Sequence, residues 1–154
     1  MPHIHEKIDF TVEVFIVFNN KVLLRKHDKY KIWLGVGGHI ELDEDPIEAA
    51  LREVKEEVGL DVNIIGNSNV SNVLGNGELI PPRFLNRHKI SEEHEHIALV
   101  YFALTDNDKL VVSEIEKTDE CRWFNKEDLD SNDFDIRDNI KYYAKEALET
   151  LKNK

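Results

Sequence analysis

The chain has 154 residues, with 20 Lys and Arg against 31 Asp and Glu, a formal net charge of −11. This acidic balance argues against a basic surface for DNA or RNA, so we expect no nucleic-acid partner. A single cysteine excludes an internal disulfide framework and a cysteine-based zinc cluster. The apolar runs are too short for a membrane span, and the first residues lack a secretory pattern. We therefore expect one domain over residues 1–154, in the cytoplasm and without a membrane partner.

The first part of the chain predicts a hairpin and a glycine-rich bend. Phe10 to Phe18 is rich in Phe, Val and Ile and predicts a buried strand. Asn19-Asn20 predicts a turn, and Lys21 to Arg25 predicts the returning strand. Trp33 to Gly38 predicts tight backbone bends, and His39 to Leu42 predicts a short extended piece.

A helix is predicted from Pro46 to Val58. Proline suits a first helical position, and Asp45 with Glu48 three residues later fits a capping box. Gly59 is typical of a helix C-terminus.

The rest of the chain alternates between strands, a loop and a second long helix. Asp61 to Val73 predicts one or two strands, and the proline-containing stretch from Gly75 to Glu95 predicts a long loop. Ile97 to Leu104 and Cys121 to Phe124 predict further strands. Apolar residues spaced from Ile136 to Leu151 predict an amphipathic C-terminal helix. This order indicates an α/β domain built on one central sheet.

The predicted helix from Pro46 carries an acidic arc. At about 100° per residue, Glu53, Glu56 and Glu57 fall together, with Arg52 at the edge of the arc. An adjoining apolar arc would pack on the sheet and consists of Ile47, Ala50, Leu51, Val54 and Val58.

The acidic arc is unfavourable without cations. Like charges at i,i+3 and i,i+4 each cost about 0.2–0.5 kcal/mol, and an anion in the last helical turn costs about 0.3–1 kcal/mol. A divalent cation removes both penalties, and clustered carboxylates suit Mg²⁺, with Mn²⁺ as a substitute. The arc therefore indicates a metal site or, alternatively, a solvated glutamate-rich face.

The residues from Gly38 to Leu60 resemble the signature motif of the Nudix (MutT-like) hydrolases. Gly38 is followed after five residues by Glu44 and, after seven more, by Arg-Glu-Val-Lys-Glu-Glu-Val-Gly-Leu over residues 52–60, with every constrained position matched. The resemblance implies an α/β/α sandwich with a central mixed sheet and a loop–helix–loop catalytic motif. It also implies divalent-metal-dependent hydrolysis of a nucleoside diphosphate linked to another moiety, by water attack at phosphorus. The partner would be a nucleotide-type small molecule, and a homodimer is one possible assembly.

The resemblance assigns metal ligands within the motif. Glu56 and Glu57 would be the core ligands of Mg²⁺, and Glu53 a further ligand. The carbonyl of Gly37 would contribute as well, and Glu44 would either add a ligand or pair with Arg52.

The resemblance also implies catalytic roles. Glu53 and Glu57 are candidate catalytic residues because they would hold the metal, and Glu53 could also accept the proton from water. Arg52 would orient Glu53 by a charge-assisted hydrogen bond. In some members the base is a glutamate before the late strand, and here Glu116 is the first choice and Glu120 the second.

Candidate substrate residues lie outside the helix, and all but His39 have a structural alternative. Arg25 could reach a phosphate or merely solubilise a strand edge, and His39 could contact phosphate when protonated. Arg83 and Arg87 belong to a basic patch that either lines the pocket or forms a solvated loop, and Trp33 could stack on a base or pack in the core.

Three further questions stay open at this stage. His94 and His96 lie two residues apart and would face one side, either as surface residues or as contacts to substrate or metal. A nucleotide sensor of the same fold is an alternative to the hydrolase, although such proteins usually lack one or more of the motif glutamates. An isomerase of prenyl diphosphates would need a catalytic cysteine, for which only Cys121 is available.

Overall fold

The computed structural model describes residues 6–66, 77–111 and 120–154. Within these residues the chain forms strands and helices in the order β1 Ile8–Phe18, β2 Lys21–Lys26, β3 Trp33–Leu34, β4 Val36–His39, α1 Pro46–Val58, β5 Asn63–Ile65, β6 Phe84–Lys89, β7 Glu95–Leu104, β8 Glu120–Phe124, α2 Lys126–Asp130 and α3 Asp138–Thr150.

The strands form one mixed sheet around β1 and β7. These two long strands pair in parallel along ten residues, from Ile8 opposite Glu95 to Val17 opposite Leu104. The other strand pairs are antiparallel: β1 pairs with β4 and then with β2, and β7 pairs with β6 and then with β5. β2 also pairs with β3 and β8. The expected central mixed sheet is therefore confirmed.

Apolar side chains cover both faces of the sheet. On one face, Val12 and Val14 of β1 pack with Val54 and Val58 of α1. On the opposite face, Phe15 packs with residues of α3 such as Ile140. Strand side chains alternate between faces, so β1 contributes to both cores and the architecture is an α/β/α sandwich, as predicted. None of the helices in the described ranges has the length and apolarity to cross a membrane.

The local signals around the hairpin and α1 are confirmed. Asn19 and Asn20 have φ values of 48° and 58°, the left-handed pair that a tight hairpin turn requires. The Asp45 side chain accepts hydrogen bonds from the first turn of α1, Glu48 completes the capping box, and Gly59 ends the helix at φ 70°.

Three element predictions need correction. The stretch from Gly75 to Glu95 is not only a loop, because β6 occupies Phe84–Lys89; its polar side chains are tolerated on an exposed sheet strand. The glycine-rich segment is mostly extended as β3 and β4, and β4 ends at His39 instead of beginning there. Between Asp61 and Val73 the strand is the short β5, and residues 67–73 lie outside the described ranges.

The apolar arc of α1 also differs from its prediction. Ala49, Ala50, Val54 and Val58 are fully buried, but Leu51 is 42% exposed. The buried side of α1 instead includes Glu53 and Glu57, which are only 5% and 4% exposed. Two of the three glutamates in the acidic arc therefore lie against the protein, whereas Glu56 is exposed.

Candidate active site

Glu53 and Glu57 on α1 lie directly against the end of β4. The Gly37 N–H donates a hydrogen bond of 3.1 Å to Glu57 Oε2. A Cβ atom placed on Gly38 would lie 2.5 Å from Glu53 Oε1, so only glycine leaves room for this carboxylate. The backbone of the glycine pair and the helix thus hold two buried carboxylates side by side.

Arg52 connects three carboxylates of the motif, those of Glu44, Glu53 and Glu56, to one another. Its Nη1 donates to Glu53 Oε1 at 2.9 Å and to Glu56 Oε2 at 3.2 Å. Its Nε and Nη2 donate to Glu44 Oε2 at 2.9 Å and Oε1 at 2.6 Å, a bidentate pair. Nη2 also donates to the carbonyl oxygen of His39 at 3.0 Å. Arg52 therefore fixes the orientation of Glu53 relative to β4.

The charges of this network favour its ionised state. The hydrogen bond from Arg52, more than any other interaction, lowers the pKa of Glu44 below its usual range. The same bond to Glu44, followed by that to Glu53, raises the pKa of Arg52. Glu44 and Arg52 consequently stay charged at neutral pH and act as a permanent clamp.

Arg25 brings a second cation to the site from β2. Its Nη2 lies 2.9 Å from Glu57 Oε1, and the two side chains are only 12% and 5% exposed. A buried guanidinium beside a buried carboxylate can exchange that partner for the oxygens of a phosphate group. Among the predicted substrate residues, Arg25 is thus placed at the motif.

The donor set fits a hard divalent cation. Glu53 and Glu57 present buried carboxylate oxygens, and Glu56, 50% exposed at its side chain, adds a third from the same helix. Oxygen ligands of this kind suit Mg²⁺ or Mn²⁺ better than softer metals. The Gly37 N–H, which cannot bind a cation, is the group that contacts Glu57, so the Gly37 carbonyl as a metal ligand stays a prediction.

The remaining predicted residues lie apart from the motif. Trp33 is 3% exposed and packs edge-to-face on Phe124, with ring centroids 5.0 Å apart, so its ring belongs to the core. Arg83 lies against the Phe84 ring, and Arg87 pairs with Glu95. Arg87 is in β6 and Arg83 directly precedes it, and β1 and β7 separate β6 from β4.

The candidate bases are only partly located. Glu116 lies outside the described residues. Glu120 is exposed at the start of β8, opposite Lys26 of β2. The assignment of a base outside the motif therefore stays a prediction.

His39, His94 and His96 converge on the sheet face opposite α1. They surround Asp9 of β1, which is 1% exposed. Burial, with smaller contributions from the neighbouring histidines, lowers the pKa of His96 to about 4. Asp9 was not among the predicted site residues, and its one sequence signal is a charged residue at the start of a strand-forming run.

Glu13 is a second buried acid that the sequence did not single out. It lies opposite Gly37 in the β1–β4 pair, and its Oε1 accepts a hydrogen bond of 2.9 Å from the Gly35 N–H. Burial raises the pKa of Glu13 to about 7, although the Gly35 hydrogen bond opposes this shift. In the sequence, Glu13 is an acidic residue within the otherwise apolar run of β1, and this is the signal that could have identified Glu13.

An α/β/α sandwich whose glycine-rich strand end faces an acidic helix defines a class of hydrolases. The NUDIX domain family model matches residues 8–145 of the chain. The chain therefore belongs to the Nudix hydrolase family, as the motif predicted. Divalent-metal use and small nucleotide-type substrates are general in this family.

Solved structures and curated proteins give consistent similarities. A NUDIX-family hydrolase from Clostridium perfringens is 40% identical, with TM-score 0.85 over 93% of this chain and 97% of that one. A MutT Nudix hydrolase from Burkholderia pseudomallei shares the fold at 21% identity and TM-score 0.65, over 95% of this chain and 99% of that one. A Xenopus laevis protein named m7GpppN-mRNA hydrolase NUDT17 is 37% identical over 56% of this chain and 30% of its own length. Its Danio rerio counterpart is 38% identical over 44% and 23%. The chain thus spans less than a third of these curated relatives.

Proposed function

We propose that the chain hydrolyses a pyrophosphate bond in a nucleoside diphosphate linked to another moiety, with Mg²⁺ as cofactor and Mn²⁺ as a substitute. The observation that carries this proposal is the pair of buried carboxylates, Glu53 and Glu57, held against the Gly37–Gly38 backbone. Burying a carboxylate costs free energy unless a cation lies beside it. A metal ion held by these carboxylates would supply that cation and would also neutralise the charge of a diphosphate.

Each residue of the motif has a proposed part. Glu56 and Glu57, with Glu53, hold the metal, which when bound would supply positive charge to the phosphate oxygens. Arg52 keeps Glu53 in the orientation that accepts a proton from the attacking water. Glu44 holds Arg52 in turn.

Arg25 is proposed as the phosphate-binding residue. Its guanidinium already pairs with the Glu57 carboxylate. A phosphate oxygen bound there would replace that carboxylate as the anionic partner of Arg25. Glu116 remains proposed as an alternative base, and His39, Arg83 and Arg87 as substrate contacts stay predictions. The buried ring of Trp33 favours its alternative, packing in the core.

A cap-like nucleotide is the substrate class that the curated relatives favour. Both are named m7GpppN-mRNA hydrolases, and such a cap contains the pyrophosphate linkage that the proposed chemistry cleaves. With a net charge of −11, a free cap dinucleotide is the more suitable substrate, because a long RNA would be repelled.

The decisive experiment is a substrate panel in the presence of Mg²⁺. The panel contains nucleoside triphosphates, 8-oxo nucleotides, nucleotide sugars, ADP-ribose, dinucleoside polyphosphates, a cap dinucleotide and a capped RNA. Cleavage at phosphorus, with heavy oxygen from labelled water in the product phosphate, is the expected result. Binding without turnover across the panel would favour the nucleotide sensor instead.

The isomerase alternative is less favoured, because the hydrolase motif is complete and the sequence contains a single cysteine. Cys121 packs with Trp123 against the apolar cluster on the α1 side of the sheet.

We also propose that residues 1–154 form one domain, since the family match covers most of them. A cytoplasmic location and a homodimer stay predictions.

A further inference from the structure

A cluster of three histidines and one aspartate lies on the face of the sheet opposite α1. One ligand atom from each of Asp9, His39, His94 and His96 falls within 4.8 Å of the other three. The strand register creates this convergence: Asp9 lies opposite His96 in the β1–β7 pair. His39 of β4 lies opposite Thr11, which is two residues from Asp9 and so on the same face.

Three of the six separations between these ligand atoms are close to those of a tetrahedral metal site. Asp9 Oδ2 lies 3.3 Å from His39 Nε2 and 3.4 Å from His94 Nε2. The two Nε2 atoms of His94 and His96 are 3.0 Å apart. Ligands at Zn–N and Zn–O bond lengths of about 2.0–2.1 Å are separated by about 3.3 Å in a tetrahedron.

The ligand types select a class of metal. Three imidazoles and one carboxylate suit Zn²⁺, and Co²⁺ as its spectroscopic substitute, whereas Mg²⁺ prefers oxygen ligands alone. Asp9 is 1% exposed and His94 is 8% exposed, so a cation bound there would offset the cost of burying a carboxylate.

We propose that Asp9, His39, His94 and His96 bind one zinc-class ion at a site separate from the motif glutamates. Four protein ligands fill a tetrahedral shell, so the ion would have a structural role. It would join β1, β4 and the start of β7. His39 follows Gly38 directly, and its carbonyl oxygen accepts a hydrogen bond from Arg52. The ion would therefore also hold the strand end on which the motif glutamates rest.

Cobalt titration of the full chain tests this proposal. After removal of metals with a chelator, we expect Co²⁺ to bind and give the intense visible absorption of tetrahedral cobalt, saturating at one equivalent and disappearing when Zn²⁺ is added. His94→Ala and His96→Ala should each weaken this binding by at least about tenfold. His88→Ala is the matched control, because its ring lies 5.7 Å from that of His96 but outside the ligand set.

Two further measurements separate the possible outcomes. A Glu56→Gln, Glu57→Gln double variant should keep the cobalt absorption, since the glutamate site is not involved. Zn²⁺ should raise the melting temperature of the wild type but not that of His96→Gln, whose fold is checked by circular dichroism. Cobalt that binds with only weak octahedral absorption, or absorption lost in the glutamate variant and kept in His94→Ala, would overturn the proposal.

Discussion

The guanidinium of Arg25 lies 2.9 Å from the carboxylate of Glu57, which joins strand β2 to helix α1 at the proposed reaction centre. The two residues are 32 positions apart in sequence and neither is exposed by more than 12%. Before any metal arrives, Arg25 therefore provides the positive charge that the buried Glu57 requires.

Arg25→Gln should lower the stability of the metal-free protein by about 1–3 kcal/mol, because Glu57 loses a charged partner. Added Mg²⁺ should then raise the melting temperature more than in the wild type, since the metal replaces the missing cation. The KM for the panel substrate should also rise. Arg137→Gln is the matched control, because Arg137 is an exposed residue that directly precedes α3. Equal Mg²⁺ responses in the wild type and Arg25→Gln would contradict the pairing.

Glu57→Gln should reduce kcat by several orders of magnitude while the fold is kept. The amide can still accept the Gly37 hydrogen bond but carries no charge for a metal. Turnover of the panel substrate and the Mg²⁺-induced shift in melting temperature are measured together. Glu149→Gln, an exposed acid on α3, serves as the control. Near-normal turnover of Glu57→Gln would refute the role of Glu57 in metal binding.

Alanine at the two motif glycines should separate catalysis from folding. In Gly38→Ala the new Cβ meets the Glu53 carboxylate at 2.5 Å, so we expect at least tenfold lower kcat with a small change in melting temperature, because a side-chain end can move. In Gly37→Ala the Cβ meets the Val12 carbonyl oxygen at 2.0 Å, which forces β1 and β4 apart. That variant should lose about 1–3 kcal/mol, with each 1 kcal/mol lowering the melting temperature by about 2–4 °C. The reverse order of effects would contradict the described geometry.

Glu13 should make stability dependent on pH. Its folded-state pKa of about 7 exceeds the ordinary value of 4.5, so between these values the folded protein binds more protons than the unfolded chain. Stability therefore falls as pH rises through this window, by of order 1–3 kcal/mol in total. Glu13→Gln cannot ionise, so the melting temperature of this variant minus that of the wild type should increase from pH 5 to pH 8. A constant difference across this range would show that the pKa of Glu13 is not raised.

The motif helix was predictable from sequence because its signals are local. Asp45, Pro46 and Glu48 begin α1, and Gly59 ends it, through contacts within one turn of each other. The helical period likewise placed Glu53, Glu56 and Glu57 on one arc beside Arg52, and the structure joins Arg52 to Glu53 and Glu56. The family followed from the same short stretch.

Strand partners and side-chain environments were decided only by the tertiary structure. The polar strand β6 has little apolar pattern, and its pairing with β7 is a contact between segments that sequence period alone does not reveal. The pairing of β2 with β3 and β8 determines that Trp33 lies in the core and that Arg25 contacts Glu57. The cluster around Asp9 likewise depends on the register of three strands, since residues 9, 39 and 94–96 meet only when the sheet is formed.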